Sequence, residues 1–231
     1  MFVSVITSTA DRFRFIPRLI EMYRAQTYPK EQMEWIILDD GQHKVEPLFI
    51  ETDLPNIRYI PLETKYTMGA KLNMLKAEAK GDIVVVMDDD DYYPPTRVQL
   101  VVTAFQQNPK KQVAGCSEVY MYYTDTNEIY RTGPYHKRHA LNCTLAWRNS
   151  YAKTHDYDYT ERCAVEAKFL NDFTSPMVQL PSKETILHII HSSNTFNAIK
   201  ARTNGTLGLL QKTELKLEDF MKETNQFINA Y

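Results

Sequence analysis

The chain has 231 residues, 43% of them apolar, and a formal charge of −2. That length allows one large domain or two small ones around a real core, and the near-neutral charge excludes broad nucleic-acid binding, which needs a basic surface. No apolar run approaches the ~20 residues of a bilayer span, the opening "MFVSVITSTADRF" has no basic leader and reads as a strand rather than a signal peptide, and Cys116, Cys143 and Cys163 fit neither a disulfide framework nor a zinc motif, so the expectation is a soluble, cytoplasmic protein, with peripheral membrane association left open.

In chain order, "FVSVITS" reads as a short strand. Ile16, Leu19, Ile20 and Tyr23 then recur at helical spacing, with Pro17 tolerable because it falls in the first turn. "EWIILDDG" and "NIRYIPLE" are the second and third strands. "MGAKLNMLKAEAKG" reads as a helix with Gly81 as its C-terminal stop. "DIVVVM" is continuously apolar, as befits a central strand covered on both faces. Val98, Val101, Val102 and Phe105 mark the next helix. Alternating strand and helix over about the first 110 residues predicts a mostly parallel sheet with helices on both faces.

The remainder has a different grain. "QVAGCSEVYMYYTDTNEIYRTG" reads as two strands around a turn at "DTNE", and "ALNCTLAW" as a strand before a short helix. "ERCAVEAKFLNDF" reads as a helix, with Cys163, Glu166 and Leu170 on one face. "MVQL" and "ETILHIIHSS" are strands. "LKLEDFMKETNQFI" is an amphipathic helix through Leu217, Phe220, Met221 and Ile228. No repeat or low-complexity linker divides the chain. The expectation is a single domain over 1–231, with a nucleotide-binding half at 1–110 and an acceptor half at 111–231.

In open parallel sheets, ligands bind beyond the carboxyl ends of the strands. Three polar clusters fall there: "TSTAD", "LDDG" and, after the fourth strand, "DDDD". Four adjacent carboxylates, Asp88 to Asp91, repel one another. A hard divalent cation relieves that repulsion, and Asp88 and Asp90 face the same side of an extended segment. The glycine and distal glutamate of an EF-hand are absent. Each residue also has an ordinary alternative: a solvated turn for the aspartates, a turn cap for Asp40, loop hydroxyls for Ser8 and Thr9, a solvated Lys71, a surface Glu166, and a hydrogen-bonded strand histidine for His191.

As a set, "VSVITSTADR", "QTYP", "WIILDDG" and "GAKLN…AKGDIVVVMDDDDYYPPTRV" resemble the family 2 inverting glycosyltransferases with a GT-A fold, in particular the branch with "DDDD" followed by aromatic residues and proline. "CTLAWRNSYA", "AVEAKFLNDF" and "QLPSKETILHIIHSSNT" resemble later blocks of that family; the last ~35 residues resemble nothing nameable. The resemblance implies an α/β GT-A fold: a Rossmann-like, mostly parallel central sheet flanked by helices, with a smaller acceptor-side portion. It implies nucleotide-sugar binding by Ser8, Thr9, Arg12, Asp40 (to the base), Lys71 (to the phosphates) and Asp89 (to the ribose). It further implies a Mn²⁺ or Mg²⁺ site at Asp88, Asp90 and His191, and Glu166 as catalytic base. Leu72 stands where the family pattern has an arginine, and Val165 where it has the first of two acids.

The implied activity is metal-dependent transfer, with inversion, of a sugar from a UDP-sugar to a hydroxyl of a glycan or glycoconjugate. The alternatives are a catalytically silent nucleotide-sugar or glycan-binding module, for which Val165 and Leu72 speak, a nucleotidyltransferase, against which the lack of a glycine-rich phosphate loop speaks, and a Ca²⁺-stabilised structural protein. Tyr120, Tyr122, Tyr123 and Trp147 fit either an acceptor groove or core packing.

Overall fold

The computed structural model describes residues 1–205 and 208–221. Its first half follows the alternation in the sequence: β1 (Val3–Thr9), α1 (Ile16–Arg24), β2 (Met33–Asp39), α2 (Glu46–Ile50), β3 (Ile57–Pro61), α3 (Met68–Glu78), β4 (Ile83–Val86) and α4 (Arg97–Gln107). The β-branched run Ile83 to Val86 is buried throughout and pairs parallel to β1, placing Val85 beside Val5; Val5 in turn lies beside Trp35 of β2. The period of two sends alternate residues to opposite faces. Val5, Ile37 and Val85 pack with α1 and α4 on one face; Ile6, Ile36, Val84 and Val86 pack with Leu72 and Leu75 of α3 on the other. Each fully buried branched side chain contributes roughly 1.5–3 kcal/mol, so cover on both faces contributes strongly to holding this sheet together.

The second half adds β5 (Val113–Gly115), β6 (Val119–Tyr123), β7 (Glu128–Thr132), β8 (Ala146–Arg148), α5 (Asn149–Ala152), α6 (Glu166–Phe169), β9 (Met177–Gln179), α7 (Ser182–Thr185), β10 (Leu187–Ile190), α8 (Ala198–Thr203) and β11 (Gln211–Lys212). The main sheet has the order β3-β2-β1-β4-β8-β5-β9, with β8 antiparallel to both its neighbours. A second sheet has the order β10-β6-β7-β11. Its register puts Met121 beside His188 and opposite Tyr130. Val119, Met121, Tyr123 and Ile190 belong to the same buried cluster as α1 and α4, while Tyr122, Ile129, Leu187 and Ile189 on the reverse face pack with Leu217 and Met221.

Five expectations change. The strand expected over "ALNCTLAW" is a 3₁₀ turn at Asn142–Thr144 followed by β8. The two strands read in 112–133 are three, because the first divides: β5 joins the main sheet and β6 the second. The helix expected over "ERCAVEAKFLNDF" contracts to the single turn α6. Ala164 before it has φ 51°, and Asn171, Asp172 and Phe173 after it have φ of 51°, 50° and 57°, backbone that no right-handed helix contains. Gly81 does not cap α3, whose last turn ends at an extended Ala79; glycine is needed at 81 because a Cβ there would sit 2.5 Å from the Ser4 nitrogen of β1. Of the expected final helix, Leu217–Asp219 is a 3₁₀ turn, and Ile228 lies outside the described residues. No helix among the described residues is long and apolar enough to cross a membrane.

Candidate active site

The sheet brings the carboxyl ends of β1 (Thr9), β2 (Asp39) and β4 (Val86) to one edge. The aspartate run leaves β4 there and folds back under Tyr93, whose hydroxyl accepts the Asp88 N–H at 2.9 Å and donates to the Cys143 carbonyl at 3.1 Å. An isolated bridge from Tyr92 to Leu187 then pins the run to the first residue of β10. Strand β10 and the turn after it therefore face the carboxylates from the second sheet.

That arrangement makes the four aspartates unlike. Oδ2 of Asp90 lies 3.1 Å from Nε2 of His191, 3.3 Å from the Asn194 amide and 3.4 Å from the Arg12 guanidinium. Nδ1 of His191 accepts the Ser193 N–H at 3.2 Å, so Nε2 carries the proton that is donated to Asp90. Burial opposes ionisation of Asp90, but His191, Arg12 and His188 outweigh it and hold this carboxyl below the usual carboxylate range. Asp89 is pushed up to about 7 by burial and by Asp90, partly offset by Arg12, Thr9 and Lys71. Asp88 is pushed up by burial and by the other three carboxylates. Asp91, wholly buried, is also raised by burial; its Oδ1 accepts from Nδ1 of His188 at 2.7 Å and from the Ile189 N–H at 2.8 Å.

A hard divalent cation fits this run. Oδ2 of Asp89 is buried and accepts no hydrogen bond among the described residues, and the carboxyls of Asp88 and Asp89 sit where added positive charge would favour their ionised forms. The expected set Asp88, Asp90 and His191 does not itself close into a tight trio, although Asp90 and His191 touch. Among the described residues, the one group of three such donors within 4.8 Å of one another is Asp91, Cys143 and His188.

Beside the run lies a cavity of about 530 Å³, whose lining includes Ser8, Arg12, Asp88, Asp89, Asp90 and Glu166. Glu166 opens α6 and is 9% exposed. Burial raises its carboxyl, only partly offset by its own backbone N–H; a carboxylate so placed is a stronger proton acceptor than a solvated one. The loop before α6 is locked to α3: the Gly69 N–H donates to the Glu161 carbonyl at 3.1 Å, the Thr67 hydroxyl donates to the Tyr159 carbonyl, and a Cβ on Gly69 would lie 1.8 Å from the Asp158 carbonyl oxygen. The glycine of "GAKLN" thus allows a backbone-to-backbone contact that fixes the approach to Glu166. The Ser8 hydroxyl is buried without a hydrogen-bond partner among the described residues and stands in the cavity wall. Cavity residues also include Met68, Met121, Leu141 and Ile190, an apolar wall facing the carboxylates.

Asp40 and Lys71 do not line this cavity. They are bonded to each other, Nζ to Oδ1 at 2.9 Å, with side chains 3% and 8% exposed. Oδ2 of Asp40 accepts the Tyr66 N–H at 2.9 Å. The two residues, read from the sequence as separate base and phosphate contacts, form one buried unit in which Lys71 orients Asp40. Leu72 and Val165 are 2% and 3% exposed and pack in the core cluster on the α3 face of the sheet. Packing accounts for both departures from the family pattern.

Sequence reasoning missed the Asp91–His188 pair; its one available signal was the third-residue spacing of the histidines in "HIIH". It also missed Asp39, whose Oδ1 takes the Gly41 N–H at 2.7 Å and whose Oδ2 takes the Val45 N–H at 3.0 Å, organising the loop after β2. The acceptor-groove option for the aromatic residues is not what the structure shows: Tyr122, Tyr123 and Trp147 are 2%, 0% and 0% exposed, and Tyr120 packs on Phe220. Tyr135 and Phe196 line the cavity instead.

The fold has solved counterparts. TarS of S. aureus, residues 1–349 in complex with UDP-GlcNAc, superposes with a TM-score of 0.67 at 18% identity, covering 84% of this chain and 60% of that one. The longer TarS structure gives 0.67 at 18% identity and is covered over 49% of its length, so this chain spans about half to three-fifths of these proteins. A mannosyltransferase from Pyrobaculum calidifontis, PcManGT in complex with GDP-Man and Mn²⁺, gives 0.63 at 13% identity, covering 99% of this chain and 68% of that one. No curated protein matches the sequence. The sequence profile of glycosyl transferase family 2 matches residues 4–165. With its GT-A architecture and that match over most of its length, the chain belongs to glycosyl transferase family 2.

Proposed function

We propose that the protein transfers a sugar from a UDP-sugar to a hydroxyl of a glycan or glycoconjugate, with a divalent cation and with inversion at the anomeric carbon. The observation that carries this reading is the single cavity in which Ser8 and Arg12 from the end of β1, the aspartate run from the end of β4 and Glu166 from the second half meet. TarS binds UDP-GlcNAc and UDP, and PcManGT binds GDP-Man with Mn²⁺; both support a nucleotide-sugar donor.

Asp88, Asp90 and His191 would hold Mn²⁺ or Mg²⁺, which when bound neutralises charge on the departing diphosphate. Arg12, already against Asp90, adds fixed positive charge at the same place. Asp40, oriented by Lys71, accepts from the nucleobase, because each of its oxygens keeps a second lone pair. Asp89 accepts from the ribose. Glu166 takes the proton of the acceptor hydroxyl as that oxygen attacks the anomeric carbon from the side opposite the leaving group. One displacement inverts the centre.

The test is turnover of UDP-, GDP-, CDP- and dTDP-sugars with Mn²⁺, with the anomeric configuration of the product read by NMR. Release of UDP with inversion supports the proposal. Retention of configuration overturns the single displacement, and release of pyrophosphate identifies a nucleotidyltransferase.

A further inference from the structure

Asp91, Cys143 and His188 come from three separate elements: the loop after β4, the 3₁₀ turn Asn142–Thr144 and strand β10. One carboxylate oxygen, the thiol sulfur and one ring nitrogen lie within 4.8 Å of one another. Asp91 and His188 are bonded to each other, and each of the three also has an anchor outside the trio: Asp91 the Ile189 N–H, Cys143 its carbonyl on Tyr93, and His188 the strand register beside Met121. Oδ2 of Asp91 is fully buried and accepts no hydrogen bond among the described residues. A buried carboxyl oxygen without a donor is costly; the other oxygen is paired with Nδ1 of His188 at 2.7 Å, so a metal ion here would take the place of that imidazole proton. Cys143 and His188 also line the cavity, and their neighbour Asp91 does not. An ion could therefore enter from the cavity and keep one coordination position facing it.

We infer that Asp91, Cys143 and His188 form a second metal site, selective for a thiophilic ion of the Zn²⁺ class and separate from the hard-cation site at Asp88, Asp90 and His191. The donor set decides the class: thiolate and imidazole favour Zn²⁺ and Co²⁺, whereas Mg²⁺ and Mn²⁺ favour oxygen. Tetrahedral bonds of about 2.0–2.3 Å place donors about 3.3–3.8 Å apart, so donors up to 4.8 Å apart close by at most about 1.5 Å, and the 2.7 Å contact of His188 with Asp91 opens as its proton leaves. The cavity supplies the fourth ligand, a water or a substrate hydroxyl. Since the three donors tie the aspartate loop to the second sheet, the bound ion clamps the two sheets together, and this holds whether or not the chain transfers a sugar.

Co²⁺ alone is the probe, because a thiolate bound to it gives a charge-transfer absorption in the near ultraviolet. Wild type, Asp90→Ala and Cys163→Ala should each show that band at one equivalent of Co²⁺. Cys143→Ala should lose it, Zn²⁺ should chase it, and excess Mg²⁺ should not. Absence of the band in folded wild type overturns the inference. So does its persistence in Cys143→Ala, its loss in Cys163→Ala, or its loss in Asp90→Ala. Should Cys143→Ala fail to fold, His188→Gln decides: a fall of at least tenfold in Co²⁺ affinity supports the site, and unchanged affinity contradicts it.

Discussion

The two halves of the chain solve the placement of functional groups differently. Before Asn108, the buried strands β1, β2 and β4 end at a common edge, and the polar residues follow from where each strand stops. After it, strands of two to five residues and short helices carry Glu166 and His188 to the same cavity and His191 against Asp90. In the proposed reaction the first half holds the donor and the second brings the group for proton removal. The sharpest way to break that division is Glu166→Gln. General-base loss costs roughly 10²–10⁴-fold in rate, so donor turnover should fall by about that factor while UDP affinity stays at the wild-type level. The wild-type rate should rise with pH, with the acid limb above the ordinary glutamate range because burial raises this carboxyl, and the mutant should lose that limb. Equal losses in affinity and rate would mean that Glu166 shapes the donor site.

Within the first half, the buried Lys71–Asp40 pair sharpens the comparison. Removing one partner of a buried ion pair costs about 3–5 kcal/mol, so Lys71→Ala should lower stability by about that much in urea titrations, and Lys71→Met with Asp40→Asn should recover most of it. If Lys71 serves the nucleotide only through its contact with Asp40, Lys71→Ala should weaken uridine and UDP alike. A loss confined to UDP would return Lys71 to the phosphates.

The smallest effect is in the second half. His139 stacks on Phe173, and burial, helped by His136, pushes its imidazole down to about 4. The unfolded chain takes up this proton near pH 6.5 and the folded chain does not, so the contribution is complete above that pH and is lost as pH falls toward 4. Stability of His139→Gln should be flatter than wild type across that window, with unchanged behaviour at pH 8. An identical acid slope would show that His139 titrates normally.

The same contrast decides how much could be read in advance. The β-branched run before Asp88, the helical spacing from Ile16 and the Pro17 first turn are local signals that tertiary packing reinforces, and β1 to β4 appear where they are expected. In the second half, the Cys163–Glu166–Leu170 spacing imitates a helix. What breaks it is left-handed backbone at Ala164 and at Asn171 to Phe173, which periodicity cannot reveal. The tyrosines divide between core and cavity according to a sheet register that only long-range pairing determines. The Lys71–Asp40 contact joins residues 31 apart, and the Asp91–His188 contact residues 97 apart; neither leaves a local trace. The aspartate run was visible as a cluster, but its division into an ionised Asp90 and the raised Asp88 and Asp89 depends on Arg12, His191 and His188 arriving from elsewhere in the chain.

The central claim is that this run holds a cation for a nucleoside diphosphate beside residues of both halves. Calorimetric titration of UDP into wild type and Asp90→Ala, each with Mn²⁺ and with EDTA, tests it most directly. Wild type should bind UDP more tightly with Mn²⁺, and Asp90→Ala should bind equally in both. Equal UDP affinity of the wild type with Mn²⁺ and with EDTA would contradict the claim.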